Sequence, residues 1–155
     1  LPGIPNNNKR FCHDTPSPHQ MKKLAVCFLL LPVLIFAQNR LSVVLEGIKS
    51  SEGNIQVAVY NQSEGFLKSD HVYKYESIKA RKGIMHIDID DLPVGVYALA
   101  IFHDENGNNH LDTSWLGIPR ESIGFSRARM KTFGPPSFRE CAMKIDGNSQ
   151  IRIVF

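Results

Sequence analysis

The chain has 155 residues, enough for one domain with a real core, and a formal net charge of +3 from 18 basic and 15 acidic side chains. Lys9, Arg10, Lys22 and Lys23 against Asp14 carry that whole excess, so residues 38–155 balance, and their charge gives no reason to expect a nucleic-acid or anionic-membrane partner. Of the three cysteines, Cys12 and Cys27 precede residue 38 and Cys141 follows it, which excludes an intrachain disulfide from residues 38–155.

Met21-Lys22-Lys23, the apolar run from Leu24 to Phe36 and the small Ala37 have the layout of a secretory signal peptide over residues 21–37. The run is too short for a comfortable membrane span. Val26 before Cys27 argues against a lipoprotein. Cleavage is expected after Ala37, and residues 1–20, upstream of Met21, read as an extension outside the working protein. Residues 38–155 are then one secreted or periplasmic domain with no integral membrane span.

Arg40 to Glu46 alternates, with Leu41, Val43 and Leu45 on one face, and Asn54 to Tyr60 alternates with Ile55, Val57 and Val59. The spacing predicts a hairpin between these strands. Asn61 to Asp70 is a polar connection in which Phe66 and Leu67 tuck against the core. Val72 to Ala80 has β character with an ambiguous inward face. Ile84 to Asp90 buries Met85, Ile87 and Ile89. Val96 to Phe102 is apolar on both faces, so it belongs mid-sheet with a cover on its second face. The expected cover is Asp104 to Ser137, a stretch without clear periodicity whose Trp115, Leu116, Ile118, Ile123, Phe125 and Phe133 favour packing over disorder. Phe138 to Ile145 resumes strand character with Cys141, Met143 and Ile145 inward, and Ser149 to Phe155 closes the domain. The pattern predicts an all-β fold, a single antiparallel β-sandwich of about seven strands with one long structured loop.

Where the mid-sheet strand ends, oxygen-bearing side chains appear at Asp104, Asn106, Asn108 and Asp112. Hard cations such as calcium take six to eight oxygens from carboxylates, amides and backbone carbonyls. With Asp104 at the first position of an EF-hand loop, Asn106, Asn108 and Asp112 fall at ligand positions, and His110 supplies a backbone carbonyl. The pattern then departs from an EF-hand. Trp115 stands where the last carboxylate belongs, and Gly107 comes too early. Glu105 or Glu121 is left to supply the missing carboxylate. Two readings stand: a calcium loop on a β-scaffold, and a surface loop in which Asp and Asn make Asx-turns. Zinc fits less well, because His103 and His110 have no thiolates beside them.

Gly117-Ile118-Pro119, Gly124-Phe125-Ser126 and Phe133-Gly134-Pro135-Pro136 also admit two readings: a rigid ligand-facing surface edged by Arg127, Arg129 and Lys131, or a loop held by its own apolar residues. Cys141 reads as a buried hydrophobe. No hydrolase elbow, metalloprotease, phosphate-loop or dinucleotide motif is present.

Leu92-Pro93-Val94-Gly95-Val96-Tyr97-Ala98, His103 to Asn108, Leu111-Asp112, Gly117-Ile118-Pro119 with Glu121, Gly124-Phe125-Ser126 and Phe133 to Pro136 together resemble a family of small exported bacterial proteins, domain of unknown function 2141. The resemblance spans residues 38–155. It implies export from a Gram-negative cell and a small β-sandwich, and no activity. A looser likeness is to transthyretin-like and collagen-binding-B-type sandwiches, at the level of fold alone. The transthyretin-like hydrolases end in Tyr-Arg-Gly-Ser. This chain ends Ile151-Arg152-Ile153-Val154-Phe155, so their activity is not carried over.

The expected function is a binding or scaffolding module of the cell envelope, with a calcium-stabilised loop and an envelope or extracellular ligand, protein or carbohydrate. The rival is a small envelope hydrolase or carbohydrate-active enzyme using His103, Glu121 and Arg120 or Arg127.

Overall fold

Residues 39–155 are described by a computed structural model, and the expectations for residues 1–20 and 21–37 lie outside them. Eight strands form: β1 (Asn39–Ile48), β2 (Asn54–Tyr60), β3 (Lys74–Lys79), β4 (Gly83–Leu92), β5 (Gly95–Asp104), β6 (Ile123–Phe125), β7 (Met143–Ile145) and β8 (Ser149–Val154), with a one-turn helix α1 (Phe138–Cys141) before β7. They make two sheets. One has the order β4-β1-β8; the other has the order β3-β2-β5-β6, with β7 also pairing with β5.

The all-β reading holds, because alternation at period two gives each strand one apolar face and the two sheets bury those faces against each other. Leu41, Val43 and Leu45 of β1 and Met85, Ile87 and Ile89 of β4 meet Ile55, Val57 and Val59 of β2 and Leu99 and Ile101 of β5 in one core.

Four details differ from expectation. β1 and β2 make no hairpin, since each pairs within a different sheet. Their apolar faces meet across the core, and the connection between them crosses from one sheet to the other. The pairing is antiparallel except for β1 with β8, which run parallel. The chain reaches β8 by crossing from β7 in the other sheet, so no hairpin dictates its direction. Phe138 to Cys141 is helical because Ser137 and Glu140 form a reciprocal capping box, which leaves Met143–Ile145 alone as strand. The long segment after β5 returns as β6, pairing Ala100 with Phe125 and Phe102 with Ile123.

The Leu-Pro-x-Gly-x-Tyr stretch has a structural cause. The Tyr97 hydroxyl donates to the Pro93 carbonyl at 2.9 Å, pinning the turn between β4 and β5. A Cβ on Gly95 would stand 3.1 Å from the Tyr97 ring, so a side chain there crowds the bond.

Candidate functional site

On β5, residues alternate between the core and the outer face of the five-stranded sheet. The outer set is Ala98, Ala100, Phe102 and Asp104, opposite Tyr60, Ala58, Gln56 and Asn54 of β2. Part of this face is closed by a second apolar cluster, in which Phe66, Leu67, Ile123 and Phe138 pack against Ala58, Tyr60, Ala98, Ala100, Phe125 and Cys141. Phe66 stands edge-on to Tyr60 (centroids 5.1 Å) and to Phe138 (5.7 Å). The cover expected from the long loop is therefore shared with the Phe66-Leu67 turn. Ser126 ties this layer to the sheet: its buried hydroxyl accepts from the Leu99 amide at 2.8 Å and donates to the Cys141 carbonyl at 2.7 Å. Cys141 is fully buried, and burial pushes its thiol up to about 11, which leaves it protonated and inert at neutral pH.

Asp104 is the anchor of the long loop. It is fully buried, and its two oxygens accept four hydrogen bonds. Oδ1 takes the amides of Gly107 (2.8 Å) and Asn108 (3.1 Å); Oδ2 takes the Asn109 amide (2.9 Å) and Gln56 Nε2 (2.9 Å). Burial pushes its pKa up, but the Gln56 amide and the three backbone N–H groups outweigh that and hold it below the ordinary carboxylate value. Gln56, itself fully buried, also donates to Asn109 Oδ1 (3.1 Å) and accepts from the Tyr75 hydroxyl (2.7 Å). Burial and the Asp104 charge together push the Tyr75 hydroxyl up. Gly107 and Asn109 take left-handed conformations, at φ 75° and 62°, and Gly and Asn are the residues that do so at least cost.

The rest of the loop closes on Asp112. Asn106 Nδ2 donates to Asp112 Oδ2 at 2.7 Å and Asn108 Nδ2 to Oδ1 at 3.1 Å. The carboxamide oxygens accept in turn: Asn106 Oδ1 from the Asn108 amide (3.0 Å), Asn108 Oδ1 from the His110 amide (2.7 Å). Glu121 folds back onto the loop, taking the Glu105 amide at 3.2 Å and the Asp112 amide at 2.9 Å. Of the expected ligands, Asn106, Asn108 and Asp112 thus meet through their side chains, while Asp104 and Glu121 hold the same loop through its backbone amides; His110, expected to serve only through its backbone carbonyl, is exposed. Among the described residues, no three His, Cys, Asp or Glu side chains gather in metal-ligating geometry. The donor set around Asp112 is one carboxylate and two amides, whose N–H groups now stand where a cation would neutralise it.

The residues of the rival hydrolytic reading make separate contacts, and Arg120 gives its backbone amide to the Asp112 carbonyl at 2.8 Å. His103 is fully buried on the core face of β5, with Nε2 donating to the Glu52 carbonyl at 2.8 Å. Its Nδ1 is buried without a hydrogen bond, and Glu105 Oε1 stands 3.4 Å away, within ion-pair reach. Glu121 faces the loop backbone, and Arg127 reaches the Ala142 carbonyl at 3.4 Å.

Two further partners of this site carry no motif in the sequence. Gln56 lies on the outward phase of β2, where a polar residue ordinarily meets solvent. Gly53, at φ 65°, brings its backbone against that of Asp104, where a Cβ would collide with the Asp104 carbonyl. Beside the clamped loop lies a cavity of about 670 Å³, floored by Ala58 and Ala100 and roofed by the segments 111–119 and 130–135.

The chain matches, over residues 43–152, the family model described as "Uncharacterized protein conserved in bacteria (DUF2141)", and it belongs to that family. No curated protein and no solved structure matches it. Among the described residues, no helix is long and apolar enough to cross a membrane.

Proposed function

We propose that this member of the family is an exported binding module of the bacterial cell envelope, with its binding surface on the outer face of the five-stranded sheet. The observation that carries this is Asp104, a buried carboxylate that four N–H donors fix in place, clamping the start of a long loop over a sheet face left partly open. A domain that needed the segment merely as a connection would gain nothing from burying a charge to order it. The signal-like segment over residues 21–37 supports the export.

Calcium is the finer part of the proposal. A half-turn of the Asn106 and Asn108 amides replaces their N–H groups with carbonyl oxygens, giving four oxygens around Asp112 with its carboxylate. The turn breaks both bonds to Asp112 as well as the Asn106–Asn108 and Asn108–His110 bonds, so the ion must offset four hydrogen bonds of about 1 kcal/mol each. Glu121, beside Asp112, is the nearest further carboxylate. The ion's work there is to hold the loop, leaving the surface it presents free for a ligand.

The test is a thermal melt of the purified protein with calcium and with chelator. At calcium a hundredfold above Kd, binding adds about 2.7 kcal/mol and raises the midpoint. Superimposed melts, in wild type and in Asp112→Asn alike, would remove the metal from this reading and leave the loop as a self-sufficient Asx-turn network.

A further inference from the structure

Five of the large apolar side chains exposed to water lie on two tight turns of the long loop. Trp115 (90 % exposed), Leu116 (62 %) and Ile118 (59 %) sit on and beside the turn closed by the Gly117 amide on the Ser114 carbonyl. Met130 (36 %) and Phe133 (100 %) sit on and beside the turn closed by the Lys131 amide on the Gly134 carbonyl. Leu116, Ile118, Met130 and Phe133 all line the same cavity, so the turns form its two lips. Both turns carry their own backbone hydrogen bonds, so the lips are in place before anything binds.

The floor is equally specific. Ala58 and Ala100 are directly opposed across β2 and β5, and their neighbours on this face include Tyr60 and Phe102. Two methyl groups between taller side chains leave a trough, and the roof makes it a cleft rather than a flat patch. At about 670 Å³ and mostly apolar, it falls within the roughly 300–1,000 Å³ of small-molecule sites. A trough of this shape admits a chain, and it is poorly matched to a folded protein surface.

Charge selects the other end of the ligand. Residues 112–140 hold Arg120, Arg127, Arg129, Lys131 and Arg139, all exposed, against the acids Asp112, Glu121 and Glu140. Glu121 spends both oxygens on backbone amides. Lys131 lines the cavity and is paired with Glu140 at 2.7 Å; Arg120 and Arg129 are chain neighbours of the lining residues Pro119 and Met130, and Arg127, Arg129 and Arg152 line a smaller pocket that shares Phe125 with the cavity. The balance of residues 38–155 as a whole conceals this asymmetry.

We propose that the cavity binds an amphiphile with one apolar chain and an anionic head, the chain lying over Ala58 and Ala100 between the two aromatic-tipped lips and the head past Phe125 at the adjoining pocket of Arg127, Arg129 and Arg152. This rests on the reading of the outer face as the binding surface and names what that surface takes. Trp115 is the chain's single tryptophan, so the protein carries its own reporter at the lip.

The experiment is a titration of Trp115 emission in the whole protein with sub-micellar dodecanoate and with dodecyltrimethylammonium, repeated in calcium and in chelator. A saturable blue shift with dodecanoate is expected, with affinity for the cationic amphiphile lower by about tenfold or more. Ala100→Leu fills the trough and Ile118→Asp charges an exposed lip. Each is expected to weaken dodecanoate by about tenfold or more, the second without touching the sheet. A shift that never saturates, equal affinity for the two heads, a response to anionic vesicles alone, or unchanged affinity in both folded variants would overturn the proposal. A midpoint that responds to calcium beside a failed titration sinks this inference and spares the clamped loop. A successful titration with no calcium response does the reverse for the metal.

Discussion

Leu99 and Ala100 are neighbours on β5 and face opposite ways. Leu99 lies fully buried among the apolar side chains of both sheets. Ala100 lies on the outer face, among Ala58, Phe125 and Ile123, at the floor of a cavity. One face of the sheet is closed by apolar area, with the buried His103 at its end. The other is covered partly by the apolar cluster of Phe66 and Phe138 and partly by a loop that a buried carboxylate, a glutamine and a set of backbone amides hold in position. Hydrophobic packing makes the first face rigid and complete, whereas directional polar bonds position the cover of the second and leave room beneath it. Incomplete packing over an otherwise well-packed sandwich is where a binding site is to be sought.

The sharpest way to break this comparison is to exchange volume on the two faces. Leu99→Ala is expected to cost about 3–4 kcal/mol in denaturant unfolding, because it empties a site surrounded on all sides. Ala100→Leu adds the same atoms on the other face and is expected to cost less than about 1 kcal/mol, because they enter space already vacant. Similar penalties at the two positions would mean that the outer face is as tightly packed as the core.

Asp104 tests the polar side of the comparison. Its Asn variant keeps the shape but places an NH₂ against one of the donors it served, and is expected to cost about 2–3 kcal/mol at pH 7. The pH dependence has a definite sign. The folded carboxylate is held below its ordinary value, so its contribution is fully present above the unfolded pKa of about 3.9 and is lost as pH falls through the folded value. The gap between wild type and Asp104→Asn is therefore expected to narrow below about pH 4. Urea midpoints at pH 6, 4 and 3 read it directly. A gap that is constant with pH would show that the charge is not what the loop depends on.

The smallest effect is expected at the lips. Phe133 is fully exposed and makes the outer tip of its turn, so Phe133→Ser should change stability by no more than about 0.5 kcal/mol. A larger loss would mean that Phe133 holds the fold together and is not held ready for a ligand.

The inner face was legible in the sequence because one physical rule, alternation at period two, generates it: Leu41, Val43 and Leu45, like Met85, Ile87 and Ile89, are buried as their phase requires. Pairing was less legible. Alternation says which way a side chain faces but not which strand lies beside it, and so β1 and β2 read as a hairpin when they meet across the core. The loop was legible as a cluster of Asp and Asn, and the choice between metal ligands and Asx-turns was not. Both use the same side-chain oxygens, and Asp104 serves the turn by accepting amides from its own chain. Gln56 and the Ala58–Ala100 pair were invisible for a different reason. A polar or small residue on an outward phase normally means solvent, and here it means a contact made by a loop some fifty residues further along. The helical turn at Phe138 was written locally, in the Ser137–Glu140 box after two prolines, and apolar alternation masked it.

Hydrogen exchange in wild type and Asp104→Asn, resolved along the chain, is the most direct measurement of whether the two faces are independently held. Loss of protection is expected over residues 105–121, where the amides of Glu105, Gly107, Asn108, Asn109 and Asp112 depend on the clamp, with β1 and β4 unchanged. Protection lost equally in β1, β4 and the loop, or lost nowhere, would contradict the account.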